Sequence, residues 1–404
     1  MTPAEAQARD AADPLRAYRD AFHIPAGVIY LDGNSLGPLP RTTPAALADM
    51  AERQWGDRLI RSWNEGWIEA PRRVGAKIAR LIGATDDEVI VADSTSVNLF
   101  KLLVAALRHA TPRGTILSET GNFPTDLHIA EGAVGCVPGA RLHAVARDQL
   151  ATSLDRETAL LMLTHVHYKT SECFDMSAWS AKARENGSLT LWDLSHSVGA
   201  IPIDLNGAGA DMAVGCGYKY LNGGPGAPAF LYVSRRLQDT LASPLSGWMG
   251  HAAPFGFADA YAPAPGMTRW LAGTPPMLGM AALEAGLDIW RDVDQQQVAV
   301  KSAALFDTLA AIGRNAGLDC VSPADPAKRG SHISFRHPDA YAICQALIDR
   351  GVIGDFRDPD ILRFGLTPLY LGFADVVRAG EILGEIVSSG AYRDPAYQAR
   401  NAVT

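Results

Sequence analysis

The sequence predicts an α/β fold built on a mainly parallel central sheet, with a smaller α/β domain toward the C-terminal end. Between residues 88 and 233, short apolar segments typical of strands alternate with segments whose apolar spacing is typical of helices. This alternation favours a parallel sheet, because parallel neighbours are joined by crossover helices. Two strand segments, 159–166 and 188–194, are mostly apolar, as expected for strands that helices cover on both faces.

The other elements follow in order along the chain. Helices are predicted over residues 42–61, 71–83, 97–110, 177–187 and 277–290 and from Pro124 onward, and further strands over 88–93, 115–119, 212–216, 227–233, 331–336 and 361–366. Residues 243–276 are rich in proline, glycine and aromatic side chains, and we expect an ordered active-site loop there. We divide the chain into an N-terminal helical segment (1–30) packed on the small domain, a large α/β domain (31–275) and a small C-terminal α/β domain (276–404).

Composition excludes several classes of protein. The net charge of -8 argues against a nucleic-acid binder, which normally presents a basic face. The five cysteines are scattered and odd in number, so neither a disulfide framework nor a zinc site is expected, and a cytoplasmic location fits best. The first residues lack the apolar core of a signal peptide, and no apolar run reaches the ~18 residues of a membrane helix. We therefore expect no metal, membrane or nucleic-acid partner.

Polar side chains follow five of the predicted strands, at the point where each strand ends. They are Ser94-Thr95-Ser96, Asn122 to Asp126, Thr164, Asp193 to His196, and Tyr218-Lys219. Ligands of open α/β sheets bind beyond the carboxyl ends of the strands. The five ends together therefore predict one functional site at this edge.

Asp193 ends the predicted strand 188–194 and has two interpretations. It either caps a local turn or remains buried to keep a pyridine ring protonated, so that the ring accepts electrons from a substrate carbanion. His196 follows in the same turn. A lone histidine is more often structural, but beside Asp193 it could stack on a cofactor or form a hydrogen bond near it.

Lys219 lies between Tyr218 and Tyr220 and before the glycine-rich run NGGPG. A lysine after a strand is usually solvated, but this setting favours partial burial. Burial beside a cationic or electrophilic partner lowers the pKa of a lysine and makes its amine nucleophilic. The pattern thus predicts a lysine that binds an aldehyde cofactor as a Schiff base.

A phosphate group of such a cofactor needs a binding site as well. Neither G-x-x-x-x-G-K-[ST] nor G-x-G-x-x-G is present at a suitable place. Ser94, Thr95 and Ser96 precede a predicted helix, whose free N–H groups and dipole favour an anion. An ordinary N-cap explains one hydroxyl but not the cluster of three.

The run from Asp193 to Val233 resembles the fold-type I (aspartate-aminotransferase-like) pyridoxal-phosphate enzymes, in the branch that contains the cysteine desulfurases. More narrowly, the chain resembles the kynureninase family through YLDGNSLGPLP, GNFPTDLHIA, SHSVGAIPIDL, YKYLNGGPG, GWMGHAAPF and LRFGLTPLY. These segments occur in this order over roughly residues 30–371. The resemblance implies pyridoxal-5'-phosphate-dependent hydrolysis of L-kynurenine to anthranilate and L-alanine in tryptophan catabolism.

The resemblance also implies roles for individual residues. The catalytic residues are Lys219 as the Schiff-base lysine, Asp193 as the partner of the pyridine nitrogen and Tyr218 as a proton donor. The implied cofactor contacts are Thr95, Ser96, Phe123, Pro124, Thr125, Asp126, Thr164, Asp193, His196, Tyr218, Lys219, Trp248 and Thr274. Arg363 matches the arginine that binds the substrate α-carboxylate, with Ser35 and Asn34 beside it. Trp248 and Thr274 are expected to come from the neighbouring subunit, which implies a homodimer with shared active sites.

At two places the sequence differs from some members of the family in ways that affect the expected substrate. Thr274 stands where some members of the family carry asparagine, and Trp55-Gly56-Asp57 lacks the histidine that we associate with animal enzymes preferring 3-hydroxykynurenine. Both favour L-kynurenine as the substrate. Its aniline ring could stack on Trp55, Trp63, Trp248 or Phe255, although plain packing explains each of these aromatic residues equally well.

Three alternatives remain open at this point. Cysteine desulfurases usually place histidine before the lysine and a catalytic cysteine on a mobile loop, whereas Tyr218 precedes Lys219 here and residues 243–276 contain no cysteine. A pyridoxal-phosphate-binding regulator would carry a DNA-binding extension, and the chain has no basic arm. An α/β binding protein without a cofactor is the third alternative.

Overall fold

The computed structural model describes residues 1–400 and contains a central seven-stranded sheet. Its strands are β1 (Val89–Val91), β2 (Thr115–Glu119), β3 (Arg141–Val145), β4 (Thr158–Thr164), β5 (Leu189–Asp193), β6 (Met212–Gly215) and β7 (Phe230–Val233). They lie in the order β1-β7-β6-β5-β4-β2-β3. Strands β2 to β6 are parallel, and β7 alone is antiparallel to its neighbours β6 and β1. The predicted mainly parallel α/β sheet is therefore confirmed.

Helices cover both faces of this sheet. The helices of the chain are α1 (Pro3–Ala12), α2 (Thr43–Asp49), α3 (Ala70–Leu81), α4 (Thr95–His109), α5 (Pro124–Val134), α6 (Leu150–Ser153), α7 (Met176–Glu185), α8 (Leu205–Ala208), α9 (Arg235–Gln238), α10 (Met277–Asp288), α11 (Gln295–Asn315), α12 (Ala340–Asp349) and α13 (Phe373–Ser389). Alternate residues of one strand enter different cores: Ile90 packs with the apolar side chains of α4, and Val89 and Val91 pack with those of α3. This two-sided burial explains why the strands are so apolar.

The C-terminal part contains a second, antiparallel sheet. Its strands are β8 (Asp319–Cys320), β9 (His332–Arg336), β10 (Asp355–Arg357) and β11 (Ile361–Gly365), in the order β8-β9-β11-β10. Two-residue strands also pair Phe22–His23 with Leu39–Pro40 and Ile29–Tyr30 with Val352–Ile353. Helix α1 packs against α13, and the Asp10 carboxylate accepts hydrogen bonds from the backbone N–H groups of Phe373 and Ala374. The three-part division of the chain stays a prediction, and its last residues, 401–404, lie outside the described residues.

Two local predictions are wrong. Residues 42–61 do not form one helix, because α2 continues as a π-helix (Met50–Asp57) and then breaks at Leu59, whose φ is +55°. Gly56 weakens the helix just before that break. The prediction also omitted β3, an edge strand whose half-exposed residues lack the apolar run of the inner strands.

The loop predicted over residues 243–276 contains three short 3-10 turns: Trp248–Gly250, Pro254–Gly256 and Gly266–Trp270. Its last turn is tied to α4, because the buried Lys101 amine donates to the Trp270 carbonyl at 2.7 Å. This contact gives the loop a fixed place against the large sheet.

Among residues 1–400, no helix has the length and apolarity to cross a membrane, and no cluster of three or more His, Cys, Asp or Glu side chains could hold a metal ion. The five cysteines are all free thiols.

Lys301→Met should destabilise the fold, because Lys301 is the buried partner of Asp13. Its amine lies 2.6 Å from the Asp13 carboxylate and donates to the Pro368 carbonyl at 2.6 Å. Removing one partner of a buried ion pair leaves an uncompensated charge, so we expect a loss of about 3–5 kcal/mol in the free energy of unfolding. Urea denaturation measures this loss.

The matched control for that experiment is Arg378→Met, which removes the exposed pair between Arg378 and Glu381. Exposed pairs contribute about 0–1 kcal/mol, so the control should unfold near the wild-type midpoint. Equal midpoints for the two variants would show that the Lys301–Asp13 pair does not anchor the N-terminal segment.

Candidate active site

The predicted strand ends do meet at one edge of the large sheet. Strands β4 and β5 are parallel and end at the paired residues Thr164 and Asp193, and Lys219 follows β6 in the next connection. Strand β1 has the same direction as β6, because both are antiparallel to β7. Ser94 therefore lies at the same edge as Lys219.

The centre of this edge is a pair of buried carboxyl groups, Asp126 and Asp193. Asp126 lies in the first turn of α5, and its carboxyl group lies close to that of Asp193. Burial and the neighbouring Asp193 charge raise the pKa of Asp126 well above its usual range. Asp126 thus holds a proton, and the Asp193 carboxyl group accepts the Ser195 N–H at 2.7 Å.

A polar network holds Asp126 in place. The Thr164 hydroxyl lies 3.1 Å from the Asp126 carboxyl group and also contacts the Asn122 side-chain oxygen. The Asn122 amide donates to Ser118, and the Ser118 hydroxyl donates to the Met162 carbonyl at 2.8 Å. These bonds connect α5 with β2 and β4, so the acid pair is positioned by the sheet itself.

Lys219 is half-buried beside a histidine and two aromatic rings. Its Nζ lies 2.8 Å from His196 Nε2 and 5.9 Å from the ring centroids of both Phe123 and Tyr218. Burial, with added repulsion from Cys216 and Asp193, raises the pKa of Tyr218, so its hydroxyl stays protonated at neutral pH. The site therefore brings the Lys219 amine close to a proton acceptor, His196, and a proton donor, Tyr218.

The loop that carries Lys219 is clamped by residues near the N-terminus. Gly37 N–H donates to the Tyr218 carbonyl at 2.8 Å, and a Cβ on Gly37 would lie only 2.3 Å from the Lys219 carbonyl oxygen. No side chain fits at that distance. Asn222 completes the turn with a φ of +58° and donates to the Pro38 carbonyl. Glycine at position 37 is thus required by the close approach of the two loops.

The candidate phosphate site is the amino end of α4. Ser94 is the N-cap, and its hydroxyl accepts the Val97 N–H at 3.3 Å. Thr95 and Ser96 form the first turn, where free N–H groups point outward. Pro124 and Thr125 begin α5 on the other side of Phe123, whose ring is 41% exposed. Phe123 and the amino end of α4 thus fit a cofactor that has a planar ring and a phosphate group.

Arg363, on β11, is almost fully buried and is engaged by the chain itself. Its Nε donates to Asp355 at 2.8 Å, Nη1 donates to the Tyr168 carbonyl at 2.5 Å, and Nη2 contacts both Asp355 and the Ser35 hydroxyl. Four of its five N–H donors are thus in use. Arg357 also pairs with Asp355, at 2.7 Å. The cluster therefore contains two positive charges, on Arg357 and Arg363, and one negative charge, on Asp355.

A second carboxyl group, Asp32, lies against this cluster. Burial and the negative charge of Asp355 raise the pKa of Asp32 to about 7, and one of its oxygens is buried without a hydrogen-bond partner among residues 1–400. Asn34, two residues on, is also fully buried, and both polar atoms of its side chain lack a partner in the described chain. Of the two predicted neighbours of Arg363, Ser35 contacts the guanidinium, whereas Asn34 lies against Gly365.

The predicted aromatic residues fall into two separate groups. Trp55 and Trp63 line a cavity of about 370 Å³ with the exposed Thr274. Trp248 is 40% exposed and packs edge-on against Phe255, with the ring centroids 5.7 Å apart. Both groups of aromatic residues expose apolar surface to solvent.

Sequence reasoning missed Asp355, Asp32, Tyr168 and His332. Asp355 and Asp32 affect the site through their charges next to Arg363. Asp32 is far from Arg363 in the sequence, so its contact with the cluster could not be predicted. His332 belongs to the predicted strand SHISFR, where a histidine in an apolar run was a usable but weak signal. It lies 5.5 Å from His196, ring centroid to ring centroid.

Solved structures that match this chain identify its fold. A cysteine desulfurase from Thermococcus onnurineus matches with a TM-score of 0.77 and 19% identity, over 92% of this chain and 98% of its own. The cystine C-S lyase C-DES matches with a TM-score of 0.78 and 17% identity, over 89% of this chain and 98% of its own. A C-DES variant with glycine covalently linked to its PLP cofactor matches at 0.75, with 18% identity over 90% of this chain and 98% of its own. The fold is therefore that of the fold-type I pyridoxal-phosphate enzymes.

Sequence relatives identify the family within this class. The model of the kynureninase C-terminal domain matches residues 298–383. A kynureninase of Burkholderia mallei is 50% identical over the whole of both chains, and one of Pseudomonas fluorescens is 48% identical over 98% of each. The chain belongs to the kynureninase family.

Asp32→Asn should stabilise the protein at high pH. An unfolded aspartate has a pKa of about 4, whereas that of folded Asp32 is about 7. The wild-type fold therefore loses stability as the pH rises from about 4 to about 7, and neutral asparagine avoids this loss. We expect Asp32→Asn to gain stability relative to wild type across this window, by up to about 4 kcal/mol at pH 8, since each pKa unit is worth about 1.4 kcal/mol.

Thermal or urea unfolding at pH 5 and pH 8 tests this expectation, with the exposed Asp259→Asn as the control. A difference between Asp32→Asn and wild type that is no larger at pH 8 than at pH 5 would contradict the assignment.

Proposed function

We propose that the protein catalyses the hydrolysis of L-kynurenine to anthranilate and L-alanine with pyridoxal 5'-phosphate as cofactor. This activity is that of a hydrolase acting on a carbon–carbon bond in a ketonic substrate. One observation carries the proposal: Lys219 lies 2.8 Å from His196 at the sheet edge that also holds the buried acid Asp193, in a chain half identical to kynureninases over its full length.

The cofactor, when bound to Lys219, supplies an electron-accepting ring conjugated to the substrate nitrogen. Asp193 would hold the ring nitrogen in its protonated form. Asp126 supports this role, because its raised pKa keeps a second negative charge away from Asp193. Phe123, whose ring is partly exposed, would stack on one face of the ring.

Lys219 would act twice. Its amine would hold the cofactor covalently, and once freed it would accept the α-proton of the substrate. The close acceptor on His196 keeps this amine in place when it is no longer bonded. Tyr218, protonated at neutral pH, would donate protons when water has added to the γ-carbonyl and anthranilate leaves.

Arg363 would bind the substrate α-carboxylate together with Ser35. The chain leaves one guanidinium N–H unused, and the Ser35 hydroxyl lies 3.0 Å from Nη2, so both can face an incoming carboxylate. The charges of Arg357 and Arg363 exceed that of Asp355 while Asp32 keeps its proton. The cluster therefore attracts one further negative charge.

The phosphate group would bind at Thr95 and Ser96, at the positive end of α4. Trp248 and Thr274 would complete this site from a second copy of the chain, so the active enzyme is a homodimer. Their exposure in a single chain supports this arrangement. We place the enzyme in the cytoplasm, in the kynurenine pathway of tryptophan catabolism or NAD biosynthesis.

Lys219→Ala should abolish both cofactor attachment and turnover, because no second amine replaces the covalent link. The purified wild-type protein is expected to be yellow and to release anthranilate from kynurenine, which is measured by its fluorescence. The variant should lack the visible absorption and lose activity by several orders of magnitude.

Lys182→Ala, which removes an exposed lysine of α7, is the matched control and should retain the colour and the activity. Retention of both properties by Lys219→Ala would refute the assignment. Release of sulfide from cysteine at a comparable rate by the wild-type enzyme would favour a desulfurase instead.

The enzyme should prefer L-kynurenine over 3-hydroxykynurenine. The cavity lined by Trp55 and Trp63, which would receive the aniline ring, is apolar, so it provides few partners for an added ring hydroxyl. We expect kcat/KM for kynurenine to be higher by roughly tenfold or more. Steady-state kinetics with both substrates measure the ratio, and a clear preference for 3-hydroxykynurenine would contradict this prediction.

A further inference from the structure

His332 is a fully buried histidine whose two ring nitrogens both lack a hydrogen-bond partner among residues 1–400. It lies on β9, and its ring is 5.5 Å from that of His196, centroid to centroid. His196 is itself buried, and its Nδ1 also has no partner in the described chain. Buried polar atoms are nearly always paired, so three unpaired nitrogens on two neighbouring rings require an explanation.

The protonation of His196 limits the possible explanations. Burial and the charge of nearby Lys219 lower the pKa of His196 well below its usual value, so the ring is neutral and carries one N–H. Its Nε2 lies 2.8 Å from the Lys219 amine. When Nε2 accepts a proton of that amine, the single N–H of His196 must be on Nδ1. This buried donor needs an acceptor.

His332 can provide this acceptor. Burial and the charge of Arg363 lower the pKa of His332 well below its usual value, so one of its nitrogens has a free lone pair. The other charged or titratable groups that act on the two rings are Lys219, Arg357, Asp355 and His167. The cations outnumber the single carboxylate, which keeps both rings neutral. At a centroid separation of 5.5 Å, rotation of a ring or one bridging water molecule can bring the two nitrogens into hydrogen-bond contact.

We infer that His332 is a positioning residue that accepts the Nδ1 proton of His196 and thereby directs the Nε2 lone pair of His196 at the Lys219 nitrogen. This inference rests on the proposed function, because it assigns Lys219 as the amine that binds the cofactor. His332 acts through His196 and touches neither substrate nor cofactor. Its effect is on the protonation of the Lys219 nitrogen, both when the amine is free and when it is bound.

The test is a pH titration of the visible absorption of the holoenzyme, which reports protonation of the Lys219 nitrogen. His332→Phe removes the acceptor, so His196 becomes a poorer acceptor and the protonated form is less favoured. We expect the midpoint to fall by about half a pH unit or more, roughly a threefold change in proton affinity. In His332→Asn the side-chain oxygen still accepts a hydrogen bond, so the midpoint should return most of the way to the wild-type value.

His165→Asn is the matched control. His165 is also buried with an unpartnered Nδ1, but its ring packs on Trp192 at 6.0 Å and not on His196. This variant should leave the midpoint unchanged even if it lowers the melting temperature. If His332→Phe does not fold, His332→Leu takes its place.

A midpoint equal to wild type in the folded His332→Phe or His332→Leu variant would overturn the inference. An equal shift in His165→Asn would also overturn it, because the effect would then be a general result of losing a buried imidazole. Neither result would affect the proposed function, which fails instead if Lys219→Ala keeps the visible absorption.

Discussion

The site depends on the contact between two buried carboxyl groups, Asp126 and Asp193. Burial and the neighbouring Asp193 charge raise the pKa of Asp126, so the proton stays on Asp126. Thr164, which contacts both Asn122 and Asp126, holds the Asp126 carboxyl group in place. Asp193 is thereby free to carry the charge that faces the sheet edge. Strand pairing between β4 and β5, which aligns Thr164 with Asp193, is the structural origin of this arrangement.

The residues around this pair come from distant parts of the chain, and the segment from Leu31 to Gly37 joins them. Leu31 accepts the Gly365 N–H beside Arg363, and Ser35 contacts the guanidinium. Gly37 then closes on the Lys219 loop. One short segment thus fixes the separation between the arginine proposed to bind the substrate α-carboxylate and the lysine proposed to act at the adjacent α-carbon. Buried charges that are this closely paired tolerate little displacement, because moving one partner leaves the other buried without a compensating charge.

Much of the fold could be predicted from the sequence, because the inner strands are apolar on both faces and end in polar residues. The same logic predicted site residues at Asp193, which ends β5, and at Lys219, which lies in the connection after β6. The π-helix after Asp49 and the edge strand β3 were not predictable in this way, since neither has a distinctive apolar pattern. Asp355 and His332 were missed for another reason: their importance lies in contacts with Arg363 and His196, which only the tertiary structure creates.

The most direct measurement of the central claim is the identity of the cofactor-bearing residue. Borohydride reduction of the holoenzyme makes the lysine–cofactor bond permanent, and mass spectrometry of the digested protein then locates it. Our account predicts that the peptide containing Lys219 gains the mass of the reduced cofactor. A label on any other lysine, or on none, would contradict it.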